Sequence, residues 1–392
     1  MIHLTAFFIA LCAASLCAAS AAAAAPSFPQ WARPRQPRRL ASRAPPPALS
    51  LVTDTQNVSG VLFYGTCDLP ACATLEFASL DLATDAKTDL FDFPLDSFED
   101  AYVADDVLIG HEVTISLNWD KDPTWGYLAV FDLATRKLVS GRNSSSCFAL
   151  WENPAEPQTS LLCLTLVAAG PDCPAGTTSQ CTLLKAIDRA SGAERLIAGL
   201  LANYAPFTVE ALDPAAGLIY GMFELLDGGE PEIVTINART GAITHSVSFR
   251  NSLAFIELEH SVRTGKLYAV VQDTDAAGKP IAYVGTVDPA TAVATPLGPK
   301  AFFNVSFPPQ TGGFFNQFNT ISTLEEGKGA GVLFSTAFHY ENPGGGGTPP
   351  SDPILHLIGN AMDTGELIYD AIVANPFCEI LWLPALPPAS AT

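Results

Sequence analysis

The sequence predicts an all-β fold: a six-bladed β-propeller of four-stranded antiparallel blades, its ring closed by a C-terminal strand that completes the first blade, with seven blades as the alternative. Three observations predict it. A hairpin pattern recurs six times along the chain. Its copies are mostly about fifty residues apart, the length of a four-stranded unit. No amphipathic helix longer than about two turns is visible to support an α/β solenoid.

Each copy is a short alternating strand, then Asp or Asn, two residues, Thr or Ser, often Gly, then a second strand. In order they are EFASLDLATDAKTDL from Glu76, YLAVFDLATRKLV from Tyr127, LLKAIDRASGAERLI from Leu183, EIVTINARTGAITHSV from Glu232, AYVGTVDPATAVATPL from Ala282 and LHLIGNAMDTGELIYD from Leu355. The Asp or Asn side chain can bond its own turn backbone, and Gly accepts the positive φ that closes the hairpin. The markers Thr84, Thr135, Ser191, Thr240, Thr291 and Thr364 are 51, 56, 49, 51 and 73 residues apart. Before the two cleanest copies lie two further strands joined by a tight turn, from Phe207 and from Ala254, so a full unit has strands A to D. The first unit begins near Val61 with strand B, and Phe377 to Leu383 reads as the strand A that it lacks. Such closure removes exposed sheet edges. The longest gap contains NPGGGGTPPSDP from Asn342, read as an insertion within the last unit.

The ends and the charge set the compartment. Residues 1–25 are almost wholly apolar and alanine-rich, with small residues before Pro26, as in a secretory signal peptide; an uncleaved anchor is the alternative. Residues 26–50, rich in Pro and Arg, read as a linker or pro-segment; residues 51–384 form the propeller, and 385–392 a disordered tail without further transmembrane or lipid-anchor signal. The 392 residues carry 40 acidic and 20 basic side chains, and Arg33, Arg35, Arg38, Arg39 and Arg43 precede every carboxylate. The portion after residue 50 therefore has net charge −25. Such a field repels phosphate backbones and anionic lipid, which disfavours nucleic-acid and membrane-surface roles; the expected partner is an extracellular protein or glycan. In a secreted chain the cysteines pair: Cys67 with Cys72, Cys173 with Cys181, and Cys147 with Cys163 across strands. Cys378 is left over, as a buried thiol or an intermolecular partner. Sequons at Asn57, Asn143 and Asn304 fit N-glycosylation.

The repeat grammar resembles that of propellers of the NHL, YVTN and lactonase-like kind, whose strands also end in Asp-x-x-Thr-Gly turns, over about residues 55 to 384. The resemblance implies the fold; it spans calcium-dependent lactonases and esterases as well as non-catalytic scaffolds, so activity must be argued from the site.

Candidate sites follow from the expected geometry. The B–C loops share one face, and binding residues favour loops on a rigid scaffold. This singles out Trp119, Asp120, Asp122 and Trp125 in NWDKDPTW, with Asp273 and Asp275 in QDTDAAGKP. The first loop is similar to the Asp box of sialidases but has Asp122 at its turn glycine and occurs once. Trp151 is a further aromatic residue to weigh for sugar stacking. In or beside the expected A strands lie Glu112, Glu152, Glu210, Glu257 and Glu379; converging carboxylates repel unless a cation such as Ca²⁺ binds between them. His260, three residues after Glu257, corresponds to Asp213, three after Glu210, and a His and carboxylate pair can act as base and orienting group. No G-x-S-x-G elbow, H-E-x-x-H pair, P-loop or dinucleotide fingerprint is present. The sequence thus favours a secreted binding or interaction module with a glycan, matrix or protein ligand on the B–C loop face. The alternatives are a calcium-dependent hydrolase of lactonase or esterase type using channel carboxylates, and a structural surface or wall protein.

Overall fold

A computed structural model describes residues 61–66, 74–81, 86–94, 101–119, 122–225, 230–249, 254–275, 280–298, 302–303, 318–324, 331–340, 353–373 and 379–382. Strands β1 (Val61–Thr66), β2 (Thr74–Asp81) and β3 (Ala86–Pro94) open the chain. The next sheet is β4 (Ala101–Ile109), β5 (Glu112–Trp119), β6 (Asp122–Asp132) and β7 (Lys137–Ser145). A third holds β8 (Ala149–Glu152), β9 (Ser160–Ala168), β10 (Gln180–Asp188) and β11 (Glu194–Ala202). It is followed by β12 (Tyr204–Asp213), β13 (Leu218–Leu225), β14 (Glu232–Asn237) and β15 (Ile243–Ser248). Then come β16 (Ala254–Ser261), β17 (Lys266–Thr274), β18 (Pro280–Asp288), β19 (Val293–Pro296) and β20 (Phe302–Phe303). The last complete meander is β21 (Phe318–Leu324), β22 (Val332–Tyr340), β23 (Pro353–Ala361) and β24 (Leu367–Val373). Finally β25 (Glu379–Trp382) pairs antiparallel with β1, Phe63 opposite Ile380, making the sheet β25-β1-β2-β3. The described residues contain no helix.

The expectation of six uniform four-stranded blades, or of seven, is corrected. Among the described residues five sheets are four-stranded, and the β16–β20 sheet has five strands. The reason lies in the outer edge of β18. Its partner β19 is four residues long and covers only Gly285 to Asp288. Ala282 and Tyr283 would keep unpaired backbone groups on that side, and β20 supplies their partners, Phe303 and Phe302.

The turns close as the local chemistry requires. Asp132 accepts the N–H groups of Ala134 and Thr135 at 2.8 and 3.0 Å. Asp188 accepts the N–H and hydroxyl of Ser191, both at 2.6 Å. Asn237 serves Arg239 and Thr240, and Asp288 serves Ala290 and Thr291. These Asx turns replace the backbone pairing lost where the strand reverses.

Packing between sheets explains the burial along each strand. β9 and β10 are buried on both faces over most of their length, so they read as apolar runs, whereas the outer β7 and β15 are polar and largely exposed. Phe77 of β2 meets Phe131 of β6, ring centroids 5.0 Å apart. Leu128 of β6 packs with Leu150, Leu161, Cys163 and Ile187 of the next sheet. Leu164 and Leu184 then meet Ile219, Phe223 and Val234. Met222 and Ile233 meet Leu258, Leu267 and Val271, and Val270 and Val284 meet Leu333 and Met362. β21 lies beside β25. Each sheet is thus sandwiched by its neighbours, the inner strands β4, β8, β12, β16, β21 and β25 stand side by side, and the architecture is a β-propeller.

Candidate functional site

The antiparallel meander sends the β5–β6, β9–β10, β13–β14 and β17–β18 connections to one end of the propeller, and the A–B and C–D turns to the other. At the first end, residues 169–181 are held by three devices. Cys173 and Cys181 are disulfide-bonded, as expected. Ala169 N–H donates to the Ser179 carbonyl at 2.8 Å, closing the base. Asn203, in the turn between β11 and β12 at φ +62°, accepts from the N–H and hydroxyl of Thr178, each at 2.9 Å, and donates to the Gly176 carbonyl. Pro171, Asp172, Ala175 and Gly176 are nonetheless exposed. Asn203 was not legible as a site residue; its only signal is an Asn between two apolar strands.

The neighbouring loop differs from its expected extent. Trp119 and Asp122 pair with each other at the ends of β5 and β6, so both strands run into the predicted eight-residue loop. Trp125 lies within β6, Asp120 lies outside the described residues, and the side chains of Trp119, Asp122 and Trp125 are likewise outside them. Asp273 ends up in β17 with its carboxylate on Thr274 N–H, and Asp275 follows it, exposed. Trp151 of β8 is half-buried against the core formed by Leu162, Ile219 and Phe223.

The second expected disulfide, Cys147 to Cys163, is also present. The Cys147 carbonyl accepts from the Ser116 hydroxyl at 3.0 Å and the Asn118 amide at 2.9 Å, tying the β8 entry to the preceding sheet. Cys67, Cys72, Cys378, Asn57 and Asn304 lie outside the described residues, as do the expected signal peptide and linker. Asn143 is exposed on the outer strand β7.

Two of the five glutamates expected in or beside the inner strands, Glu112 and Glu152, are engaged by other partners. Glu112 begins β5, not strand A, and pairs with Arg189 at 2.7 Å. Glu152, at the end of β8, accepts the Gln158 N–H at 2.6 Å. Glu210 lies on β12 opposite Gly221, Glu257 on β16 opposite Val270, and Glu379 on β25 opposite Tyr64; the side chains of Glu257 and Glu379 are outside the described residues. Among the described residues no group of three or more His, Cys, Asp or Glu is placed to hold a metal ion.

A different acidic pair emerges on β4. Asp105 accepts the N–H of Asp106 at 2.8 Å and that of Leu150 on β8, bridging two inner strands. Burial pushes the Asp105 carboxyl up to about 7 and the Asp106 carboxyl up to about 8. Its sequence signal is two adjacent aspartates inside the apolar strand AYVADDVLI.

At the opposite end the corresponding residues Asp213 and His260 do meet. Asp213 ends β12; one carboxylate oxygen accepts the N–H groups of Ala215 and Ala216, both at 2.9 Å, and the other faces His260 Nε2 at 3.4 Å. Their side chains are 15% and 5% exposed. Corresponding positions of neighbouring sheets stack, which is why a pairing read from parallel places in two repeats becomes a contact. Tyr220 lies beside them, its ring centroid 6.2 Å from that of His260. Burial, and then the Asp213 charge, push the Tyr220 phenol up.

No protein-family model and no curated protein matches the chain. Among solved structures it is similar to a provisionally assigned 6-phosphogluconolactonase from Bacteroides uniformis, with 13% identity, 83% of this chain and 100% of that one covered, and a TM-score of 0.48. A second such protein, from Bacteroides fragilis, gives 12% identity, 83% and 99% coverage and 0.46. A prolyl endopeptidase gives 9%, 83% and 45%, and 0.41. Likenesses of this size carry no argument about activity; the repeat-propeller architecture rests on the strand pairings themselves.

Proposed function

We propose that the chain is a secreted binding module that takes a protein or glycan ligand on the B–C loop end. The observation that carries this reading is the loop 169–181, exposed at Pro171, Asp172, Ala175 and Gly176 yet pinned by a disulfide and by Asn203. A loop already fixed in one shape loses little conformational entropy on binding, so its contacts appear as affinity. The two described disulfides are compatible with an oxidising compartment, and no helix among the described residues is long and apolar enough to cross a membrane. The acidic surface favours a neutral or basic ligand.

The test probes wild type and Asp172→Arg on an array of neutral and amino-sugar glycans and a panel of purified basic secreted proteins. At least one ligand should bind wild type, and the variant should weaken it about tenfold or more with an unchanged melting temperature. Failure of every probe, or binding indifferent to Asp172→Arg, removes the reading.

A further inference from the structure

The turn end carries a pocket of about 450 Å³ beside the Asp213–His260 contact. Its polar lining comes from Tyr220, His260, Lys266, Thr286, Asp288 and Thr295. Apolar surface is contributed by Pro289 and by Val293, which is 56% exposed. The volume falls in the range of small-molecule sites. His260 is among the lining residues. It is 5% exposed, its Nε2 is satisfied by Asp213, and its Nδ1 is buried with no hydrogen-bond partner among the described residues.

The lining discriminates between ligand classes. Asp288 is held below the usual carboxylate range by the Thr291 hydroxyl and stays ionised at neutral pH, offsetting the Lys266 ammonium in the same lining, so the pair gives no net positive charge to select a phosphate or carboxylate. A metal ion is also disfavoured: the Asp288 oxygens serve Ala290 and Thr291, and one Asp213 oxygen serves its own turn. A wholly apolar ligand would bury the hydroxyls of Thr286 and Thr295 unpaired. A molecule with hydroxyl edges and C–H faces matches both kinds of surface.

We propose that this pocket, between the β12–β15 and β16–β20 sheets at the turn end, binds a neutral mono- or disaccharide. Lys266 and the threonines address its hydroxyls, and Pro289 and Val293 meet its C–H face. The site lies at the end opposite the 169–181 loop and acts independently of it.

Thermal unfolding tests this with glucose, galactose, mannose, N-acetylglucosamine, maltose and cellobiose as separate probes, and glucuronate and inorganic phosphate as anionic comparators. At ten times its Kd, a binding sugar should raise the melting temperature by about 2 °C. The exposed double variant Lys266→Ala/Thr295→Val should melt like wild type without sugar and bind at least about tenfold more weakly. Asp172→Arg should bind as wild type does, which separates this site from the loop. No shift with any neutral sugar, a shift with the anions alone, or a shift that survives in the double variant overturns the assignment.

Discussion

At the scale of single residues, Asp105 and Asp106 impose a pH dependence of unusual sign. Both carboxyls sit above their ordinary range, near 7 and 8, because burial disfavours the ionised form. The folded chain therefore keeps protons that the unfolded chain has already released above about pH 4. The stability they contribute is complete below that pH and is lost as pH rises through 7 and 8, by up to about 1.4 kcal/mol per pH unit for each group. The turn carboxylates act in the other direction: hydrogen bonds from Ser191 to Asp188 and from Thr291 to Asp288 lower both, so their contribution is lost only as pH falls through the acid range. The two windows do not overlap. The urea midpoint should fall between pH 5 and pH 9, and Asp106→Asn should flatten that slope while leaving the acid limb unchanged. An equally steep slope in the variant would show that Asp106 is not the source.

At the scale of elements, the turns separate what is local from what is not. The Asp, Asn, Thr and Gly of each C–D hairpin were legible because the chemistry that closes the turn lies within five residues, as Asn237, Thr240 and Gly241 illustrate. The extent of the Trp119–Asp122 hairpin was not, because strand ends are set by pairing rather than by local composition. Neither was β20, which forms only because a neighbouring edge is left uncovered. Asp105 escaped notice as a site residue for a related reason: its partner on Leu150 belongs to another sheet. The same distinction makes two glycines unequal. Gly217 and Gly241 both adopt positive φ, +63° and +68°. A methyl group on Gly217 would meet open space, but on Gly241 it would lie 2.2 Å from Ala198 Cβ of the adjacent sheet. Gly217→Ala should cost about 1 kcal/mol, the left-handed backbone penalty alone. Gly241→Ala should cost clearly more, because two sheets must separate to admit the methyl group. Chemical denaturation of both variants compares them directly, and equal losses would mean that the sheets part without resistance.

At the scale of the whole molecule, the two ends of the propeller carry different chemistry because the meander sorts connections by parity. The stapled loop 169–181 projects from one end and the saccharide pocket opens at the other, with the inter-sheet core between them. That core is distributed: each seam is a separate apolar cluster, so no single sheet buries both faces without its neighbours. The consequence falls on β25, four residues that complete the first sheet beside β1 and stand next to β21. Without it, the backbone groups of Val61 to Tyr64 lose their partners and the seam to the last sheet loses its inner strand. An unpaired edge of this kind is also a template for another chain. Truncation after residue 376 should therefore lower the melting temperature and produce concentration-dependent association, read by calorimetry and sedimentation velocity. Truncation after residue 384, which spares β25, should do neither. If both truncated chains melt and sediment alike, the closing pair contributes nothing and the ring is held by its side-chain seams alone.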